Sequence, residues 1–80
     1  MEEKVTISNE IGLHARLASK FVAISNSYNS NIYIVKDGKV YNGKSLISIM
    51  SMGAANGDTI LIRADGDDSK EAVDQLKALV

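Results

Sequence analysis

The sequence predicts an α+β fold, a two-layer open-faced sandwich in which three helices cover one face of a four-stranded antiparallel sheet. Two observations lead to this prediction. Segments with the alternating apolar pattern of strands are interleaved with segments of helical apolar spacing, and one Asp-Gly pair separates two strand-like runs. The resulting order, β-α-β-β-α-β-α, is typical of such sandwiches. At 80 residues, 45% of them apolar, we expect one domain spanning residues 1–80.

The first strand and the first helix are predicted on either side of a short polar break. Val5 and Ile7 alternate with polar residues, which is the pattern of a half-buried strand. Over Ala15–Asn26 the apolar residues instead recur every three or four positions, with polar side chains between them. We therefore expect an amphipathic helix that begins directly after His14.

The next two strands are predicted as a hairpin. Residues 32–35 are β-branched or aromatic, and a second short run surrounds Val40 and Tyr41. Asp37-Gly38 lies between the runs, and both central residues of a type I′ turn take the positive φ that Asp and Gly tolerate best. We therefore expect the two strands to pair directly.

A short second helix is predicted over Leu46–Met52, followed by a fourth strand. Ser45 is a natural N-cap, and Gly53 is a natural stop for a helix of about two turns. A turn at residues 56–58 then leads into the apolar run 59–63, which has strand character.

The last helix is predicted from its first turn and its apolar stripe. Asp68 and Glu71 have the spacing of a capping box, with Asp in place of the usual Ser or Thr. Five apolar residues then recur at helical spacing: Ala72, Val73, Leu76, Leu79 and Val80. We therefore expect an amphipathic helix that packs this stripe against the sheet.

The composition argues against several classes of protein. Nine basic and ten acidic residues give a net charge of −1, which does not favour nucleic-acid binding. The absence of cysteine excludes disulfides, thiolate nucleophiles and cysteine-based zinc sites. No apolar run approaches the ~20 residues of a membrane span, and the acidic start does not resemble a signal peptide. We expect a soluble cytoplasmic protein without membrane insertion, metal or other cofactor.

His14, the only histidine, lies where the first helix is predicted to begin. With a reference pKa of about 6.5, its imidazole is partly or mostly neutral at cytoplasmic pH and is then a nucleophile. A phosphoryl group on this ring would face the unpaired N–H groups and the positive dipole end of the helix. Arg16 could add guanidinium donors. The spacing alone leaves the alternative open that His14 is a capping or surface residue and Arg16 a solvated one.

Two motifs, "GLHARLAS" and "GKSLISIMSMGAANGDTILIRADGDD", followed by the final helix, resemble the histidine-containing phosphocarrier family, HPr, of the bacterial sugar phosphotransferase system. The resemblance covers essentially all 80 residues and implies a single HPr-like domain that is a substrate of phosphotransferases, not an enzyme. It implies that His14 accepts a phosphoryl group on Nδ1 from enzyme I, with phosphoenolpyruvate as the ultimate donor. His14 then passes the group to IIA components of sugar permeases, and Arg16 helps to stabilise or release it.

The resemblance also implies a partner-binding surface on the first two helices: Ala15, Leu17, Ser19, Leu46, Ile47 and Met50. Leu17 stands where the family motif usually has proline, so the start of the helix should be modestly looser. The apolar residues of the second helix have the alternative of lying in the core, as such stripes usually do. Ile49 and Met52, on another face, are better core candidates.

Ser45 resembles the regulatory serine of HPr proteins from Gram-positive bacteria. There an HPr kinase/phosphorylase modifies the serine, and the product binds a catabolite-control transcription regulator. The alternative is a simple N-cap, and the two roles are compatible because phosphate at a helix N-terminus is electrostatically favourable. The family motif usually has Ile-Met-Gly where this chain has Leu46-Ile47-Ser48, which puts recognition by the kinase in question.

Three hypotheses follow from the sequence. The first is a phosphocarrier that uses His14, and the second is an HPr-like regulatory module that acts mainly through phosphorylated Ser45. The third is a small α+β domain that binds RNA or a metabolite. Near-neutral charge and an aromatic content of three tyrosines and one phenylalanine argue against RNA recognition.

Overall fold

Seven elements follow one another in the order β-α-β-β-α-β-α in the computed structural model, which describes residues 1–8 and 15–80. In chain order they are β1 (Glu2–Thr6), α1 (Ala15–Asn26), β2 (Asn31–Lys36), β3 (Lys39–Asn42), α2 (Leu46–Met52), β4 (Thr59–Asp65) and α3 (Ser69–Leu79). The predicted bounds of α1 and α2 are confirmed. The predicted fourth strand was too short, because β4 continues to Asp65.

The four strands form one antiparallel sheet in the order β1-β4-β2-β3. The two central strands, β4 and β2, carry small or branched apolar residues on the face that the helices cover: Ile32, Ile34, Ile60, Ile62 and Ala64. All of these side chains are buried, so the predicted open-faced sandwich is confirmed. No helix within residues 1–8 and 15–80 is long and apolar enough to cross a membrane.

Each helix contributes a fully buried side chain to the core between the two layers. Phe21 of α1, Ile49 of α2 and Leu76 of α3 all lie in this cluster. Burying such a side chain stabilises a fold by about 1.5–3 kcal/mol relative to leaving it in water. The helical apolar spacing read from the sequence therefore corresponds to the faces that pack on the sheet.

The hairpin between β2 and β3 turns at Asp37-Gly38, as predicted. Both residues have positive φ, 51° for Asp37 and 78° for Gly38, as a type I′ turn requires. Lys36 pairs with Lys39 across the turn. This two-residue connection fixes the register of the edge strand β3.

The predicted first strand ends earlier than its apolar pattern suggested. Ile7 is buried but lies just beyond β1, and its backbone bonds to a turn. Its N–H donates to the Asp58 carbonyl at 2.9 Å, and its carbonyl accepts the Gly57 N–H at 2.8 Å. The start of the segment that leads toward α1 is therefore anchored by the loop before β4.

The capping box predicted for α3 is wrong. Asp68 is the N-cap residue, but its side chain makes no hydrogen bond to α3. The carboxylate instead accepts the N–H of Asn29 at 2.8 Å, the N–H of Ser30 at 2.9 Å and the hydroxyl of Ser30. Three donors presented by the turn between α1 and β2 outweigh the one amide that a capping box would offer.

The Asp68 contact requires close approach of two loops, and Gly66 makes that approach possible. A Cβ at Gly66 would lie 2.5 Å from the Ser30 Oγ and 2.8 Å from the Ser30 Cα. The backbone φ of Gly66 is 153°. The hydroxyl of Ser30 and the N–H groups of Asn29 and Ser30 hold the pKa of the Asp68 carboxyl below its ordinary value of 3.8. The charged form of Asp68 is therefore part of the fold.

Candidate functional site

The start of α1 supplies the described part of the predicted phosphate site. His14 lies outside the described residues, so its placement stays a prediction. Ala15 is the first residue of α1, and Arg16 follows in its first turn with an exposed side chain. No acidic side chain lies in that turn. Nothing in the first turn of α1 therefore offsets the positive dipole end of the helix, where an anion is stabilised.

Of the three α1 residues that were predicted to bind partners, two are exposed and one is buried. Ala15 and Ser19 are exposed, on the same side of α1 as Arg16. Leu17 is only 7% exposed and belongs to the core with Ala18. The prediction that Leu17 contacts partners at the surface was therefore wrong, because the 3.6-residue period of the helix turns its side chain toward the sheet.

Three apolar residues of α2 are exposed, as the resemblance implied. Ile47 is 83% exposed, Met50 46% and Leu46 40%, whereas Ile49 and Met52 are buried. The predicted division of this helix into a core face and an exposed apolar face is thus confirmed. An exposed apolar cluster of this kind is typical of a site that binds partners transiently.

Ser45 caps α2, which confirms the N-cap prediction. Its backbone is extended, with φ −114° and ψ 118°, and its Oγ accepts the Ser48 N–H at 3.3 Å. A bond of this length lies beyond the usual range for N–H donors, so the cap is weak. Gly53 ends the helix at φ 64°, as predicted.

Asn42 and Ser48 support this cap and were missed by the sequence reasoning. Asn42 lies at the end of β3, and its N–H donates to the Ser48 Oγ at 2.9 Å. Its carbonyl accepts the Ser45 N–H at 3.2 Å, and its Oδ1 accepts the Lys44 N–H at 2.9 Å. The Asn-Gly pair at this point was an available signal, because Asn side chains bond the backbone two residues ahead.

The end of α1 and the start of α2 are joined by side-chain bonds. The Asn26 Nδ2 donates to the Lys44 carbonyl at 3.2 Å, and the Lys44 Nζ donates to the Tyr28 carbonyl at 2.8 Å. The helices α1 and α2, which carry the candidate site residues, therefore pack against each other and present one surface. In the part of the chain that the structure describes, no three carboxylate, histidine or cysteine side chains could hold a metal ion.

The comparisons with known proteins agree with this geometry. The family model described as "PTS HPr component phosphorylation site" matches residues 1–80. The HPr-like protein Crh of Halalkalibacterium halodurans is 39% identical over 80 residues, which are 100% of this chain and 95% of that protein. The similarity is therefore not confined to one motif.

Two solved structures extend the comparison. The crystal structure of a phosphocarrier protein HPr from Bacillus anthracis superposes with a TM-score of 0.97 and 40% identity, covering 100% of this chain and 95% of that one. The solution structure of Crh, the Bacillus subtilis catabolite repression HPr, has a TM-score of 0.72 and 38% identity at the same two coverages. This chain thus resembles both kinds of relative.

A four-stranded antiparallel sheet covered on one face by three helices is the architecture of a class of small phosphocarrier proteins, which are substrates for other proteins' chemistry. The chain belongs to the HPr family of the sugar phosphotransferase system. Members of this family are phosphocarriers, not enzymes, and membership implies partners within that system such as enzyme I and IIA proteins.

Proposed function

We propose that this protein acts in the cytoplasm as a single HPr-like domain that carries a phosphoryl group on His14. The group comes from phospho-enzyme I, with phosphoenolpyruvate as the first donor, and passes to IIA components of sugar permeases. The observation that carries the proposal is the match of the HPr phosphorylation-site family to residues 1–80, in which His14 is the only histidine.

Transfer to His14 requires a neutral imidazole and a means of stabilising the phosphate. The ring nitrogen forms a bond to phosphorus while the bond from phosphorus to the donor breaks, so one phosphoryl group moves and none is lost. Such transfers pass through a loose transition state with charge on the phosphoryl oxygens. The exposed guanidinium of Arg16 and the N-terminal amides of α1 are the groups that would stabilise this charge.

Partner binding is proposed for the exposed surface of α1 and α2. Its residues are Ala15, Arg16, Ser19, Leu46, Ile47 and Met50. The apolar part excludes water from a transient contact, and Arg16 adds a charge that favours acidic partners. Leu17 supports this surface indirectly, because its packing in the core holds the first turn of α1 in place.

Phosphorylation of Ser45 by an HPr kinase/phosphorylase is proposed as regulation of this surface. The hydroxyl is held by one long bond, and the exposed apolar residues of α2 begin at the next position. A phosphate would add a charge of about −1.5 to −2 at the N-terminus of α2, where the helix dipole stabilises negative charge. The modified surface would then suit a catabolite-control transcription regulator instead of an acidic carrier partner.

A second candidate is a regulatory module that acts mainly through phosphorylated Ser45. The observation that favours it is the similarity to Crh, which is described as a catabolite repression HPr. The presence of His14 favours the carrier. Mass spectrometry of the protein from cells grown on different sugars separates the two, because a carrier shows phosphate on His14 and a purely regulatory module shows it only on Ser45.

The carrier proposal is tested by labelling with phosphoenolpyruvate and enzyme I. We expect acid-labile, alkali-stable phosphate on the protein and none on His14→Ala. Arg16→Ala should slow labelling by roughly 10-fold or more, because it removes charge stabilisation near the phosphate. Arg63→Ala, on the uncovered face of the sheet, is the matched control and should label at the normal rate. Persistent labelling of His14→Ala would end the proposal.

Regulation at Ser45 is tested separately with an HPr kinase/phosphorylase and ATP. We expect one phosphate on the protein, none on Ser45→Ala, and normal modification of Ser51→Ala, which alters an exposed serine of the same helix. Phosphate on Ser45→Ala, or no modification of the unaltered protein, contradicts a regulatory role for Ser45.

A further inference from the structure

The sheet has a second face that no element covers among the described residues. The strand registers place side chains there in two rows across all four strands. The first row is Glu2, Arg63, Tyr33 and Asn42, and the second is Lys4, Leu61, Val35 and Val40. Asn31 and Asp65 lie on the same face beyond the first row, and Thr6 and Thr59 lie there beyond the second. We refer to the eight residues of the two complete rows as the open face.

Half of the open face is apolar, and the polar residues of the two flanking rows border this apolar centre. Val40 is 66% exposed, and Tyr33, Val35 and Leu61 are half-buried. A shallow groove of about 310 Å³ runs over Tyr33, Val35 and Val40 to Arg63 and to Asp65, the residue that ends β4. Exposed apolar surface with a polar rim indicates an interaction site.

The open face carries one acid, Glu2, and two bases, Lys4 and Arg63, and the neighbouring Asp65 pairs with Arg63. Glu2 and Lys4 lie two residues apart on β1, one in each row, and both are exposed. Within residues 1–8 and 15–80, neither forms an ion pair with another side chain. The Arg63 Nε lies 3.3 Å from the Asp65 Oδ2, so that cation is already paired. A partner that offers an acid opposite Lys4 and a base opposite Glu2 would therefore complement this face.

We propose that the open face binds a second copy of this chain, face to face. A two-fold axis that runs across the strands between the two rows exchanges one row with the other. Lys4 of each copy then lies opposite Glu2 of the other. Among the apolar residues, Val35 comes to lie opposite Tyr33, Leu61 opposite the aliphatic stem of Arg63, and Val40 opposite Asn42.

A second copy is the partner that this pattern fits, because a two-fold contact requires one surface to complement itself. Two antiparallel sheets pack in this manner at about 10 Å, with strands rotated by about 30°. Two rows of four residues form a contact smaller than the standard interface, so the dimer should be weak and in rapid exchange. The α1 and α2 surface lies on the other side of the sheet, and the dimer therefore does not depend on the proposed carrier function.

The test is sedimentation equilibrium of the full chain at concentrations up to about 1 mM, where a dissociation constant near 1 mM becomes measurable. We expect a reversible monomer–dimer equilibrium. Glu2→Lys and Lys4→Glu should each weaken association by about 5-fold or more, because each places like charges opposite one another. The double variant exchanges the two charges and should restore association to the original value.

Several outcomes would overturn the dimer. They are a monomer at every concentration, single variants that associate normally, or a double variant that fails to recover. Loss of association in Ile47→Lys would move the contact to α2, and a dimer that does not dissociate on dilution would indicate exchange of whole strands. Amide chemical shifts of the unaltered protein on dilution provide a check without mutation. They should change at Val35 and Leu61, and changes confined to α2 would refute the proposal.

Discussion

Two helix starts that look alike in the sequence behave differently in the structure. Ser45 and Asp68 were both predicted to cap the helix that follows. Ser45 does so, through its bond to the Ser48 N–H. Asp68 turns away from its own helix and binds the backbone of Asn29 and Ser30, 38 or 39 residues earlier. An N-cap residue type thus indicates where a helix begins, but not which donors its side chain will bind.

The two side chains also differ in how far apart in the chain the segments they join lie. The side-chain bond of Ser45 is short-range in sequence and lies beside the exposed apolar residues of α2, so changing Ser45 alters little beyond that helix. The Asp68 side chain joins the loop before α3 to the turn before β2, and so holds distant parts of the chain together. We therefore expect substitutions near Asp68 to affect stability and substitutions near Ser45 to affect mainly function.

The largest expected effect comes from Gly66→Ala, which attacks the Asp68 region directly. The added Cβ would lie 2.8 Å from the Ser30 Cα, at a φ of 153° that side chains rarely adopt. We expect a loss of about 2 kcal/mol or more in the free energy of unfolding, measured by urea titration. Gly57→Ala is the control, because the φ of Gly57 is also positive but no atom of the described residues lies within 4 Å of the new Cβ. Equal losses in the two variants would show that the contact with Ser30 does not contribute to the loss of stability.

Asp68→Ala should have the next largest effect, because it leaves the amides of Asn29 and Ser30 without their acceptor. We expect the melting temperature at pH 7 to fall by roughly 4–8 °C. Asp67→Ala, which alters an exposed neighbour, should change it little. A melting temperature that is unchanged in Asp68→Ala would remove the distinction between the two helix starts.

The Asp68 contribution also has a defined pH dependence. The pKa of this carboxyl is lower in the folded than in the unfolded chain, so its stabilisation is present above pH 3.8. It is lost as the pH falls below that value through the folded-state pKa. The stability difference between the unaltered protein and Asp68→Ala should therefore shrink in acid, as measured by urea midpoints across this range. A difference independent of pH would contradict the charged contact.

Ser45→Ala should have a smaller effect. The cap bond is long, so we expect a loss of about 0.5–1 kcal/mol in the free energy of unfolding, at the low end for N-cap substitutions. Ser45→Asp should keep the cap and recover most of this loss. If Ser45→Ala instead destabilises the protein as much as Asp68→Ala, measured under the same conditions, Ser45 belongs to the framework of the fold.

Ser25→Ala should have the smallest effect and can raise stability. The Ser25 hydroxyl is buried in α1 and has no hydrogen-bond partner among residues 1–8 and 15–80. Removing an unpaired buried hydroxyl removes its desolvation cost, so we expect a change between zero and about 1 kcal/mol in favour of folding. A clear loss in thermal denaturation would mean that this hydroxyl has a partner.

The features that could be predicted from the sequence are those set by local pattern. The bounds of α1 and α2, the turn at Asp37-Gly38 and the cap at Ser45 depend on residues close together in the chain. The exposure of Ile47 beside the buried Ile49 follows from helical period in the same way. These features needed no knowledge of which elements meet in space.

The predictions that failed fall into two kinds. Some concern contacts between segments that are distant in the chain, and one followed the resemblance to the family where the helical period indicated otherwise. Nothing near Asp68 in the sequence indicates that Ser30 will approach it closely enough to bind its carboxylate. Leu17 was assigned to the surface by analogy with the family, although the helical period places it in the core. Ser48 was missed because its bond to Asn42 forms only once α2 packs beside β3.

The carrier role is tested most directly by following one phosphate through a complete transfer. The protein is phosphorylated with phosphoenolpyruvate and enzyme I, the modified residue is mapped by mass spectrometry, and a IIA protein is then added. We expect a single phosphate on His14 that leaves the protein when IIA is present, in the unaltered chain and in Ser45→Ala alike. A phosphate on any other residue, or one that IIA does not remove, would contradict the carrier function.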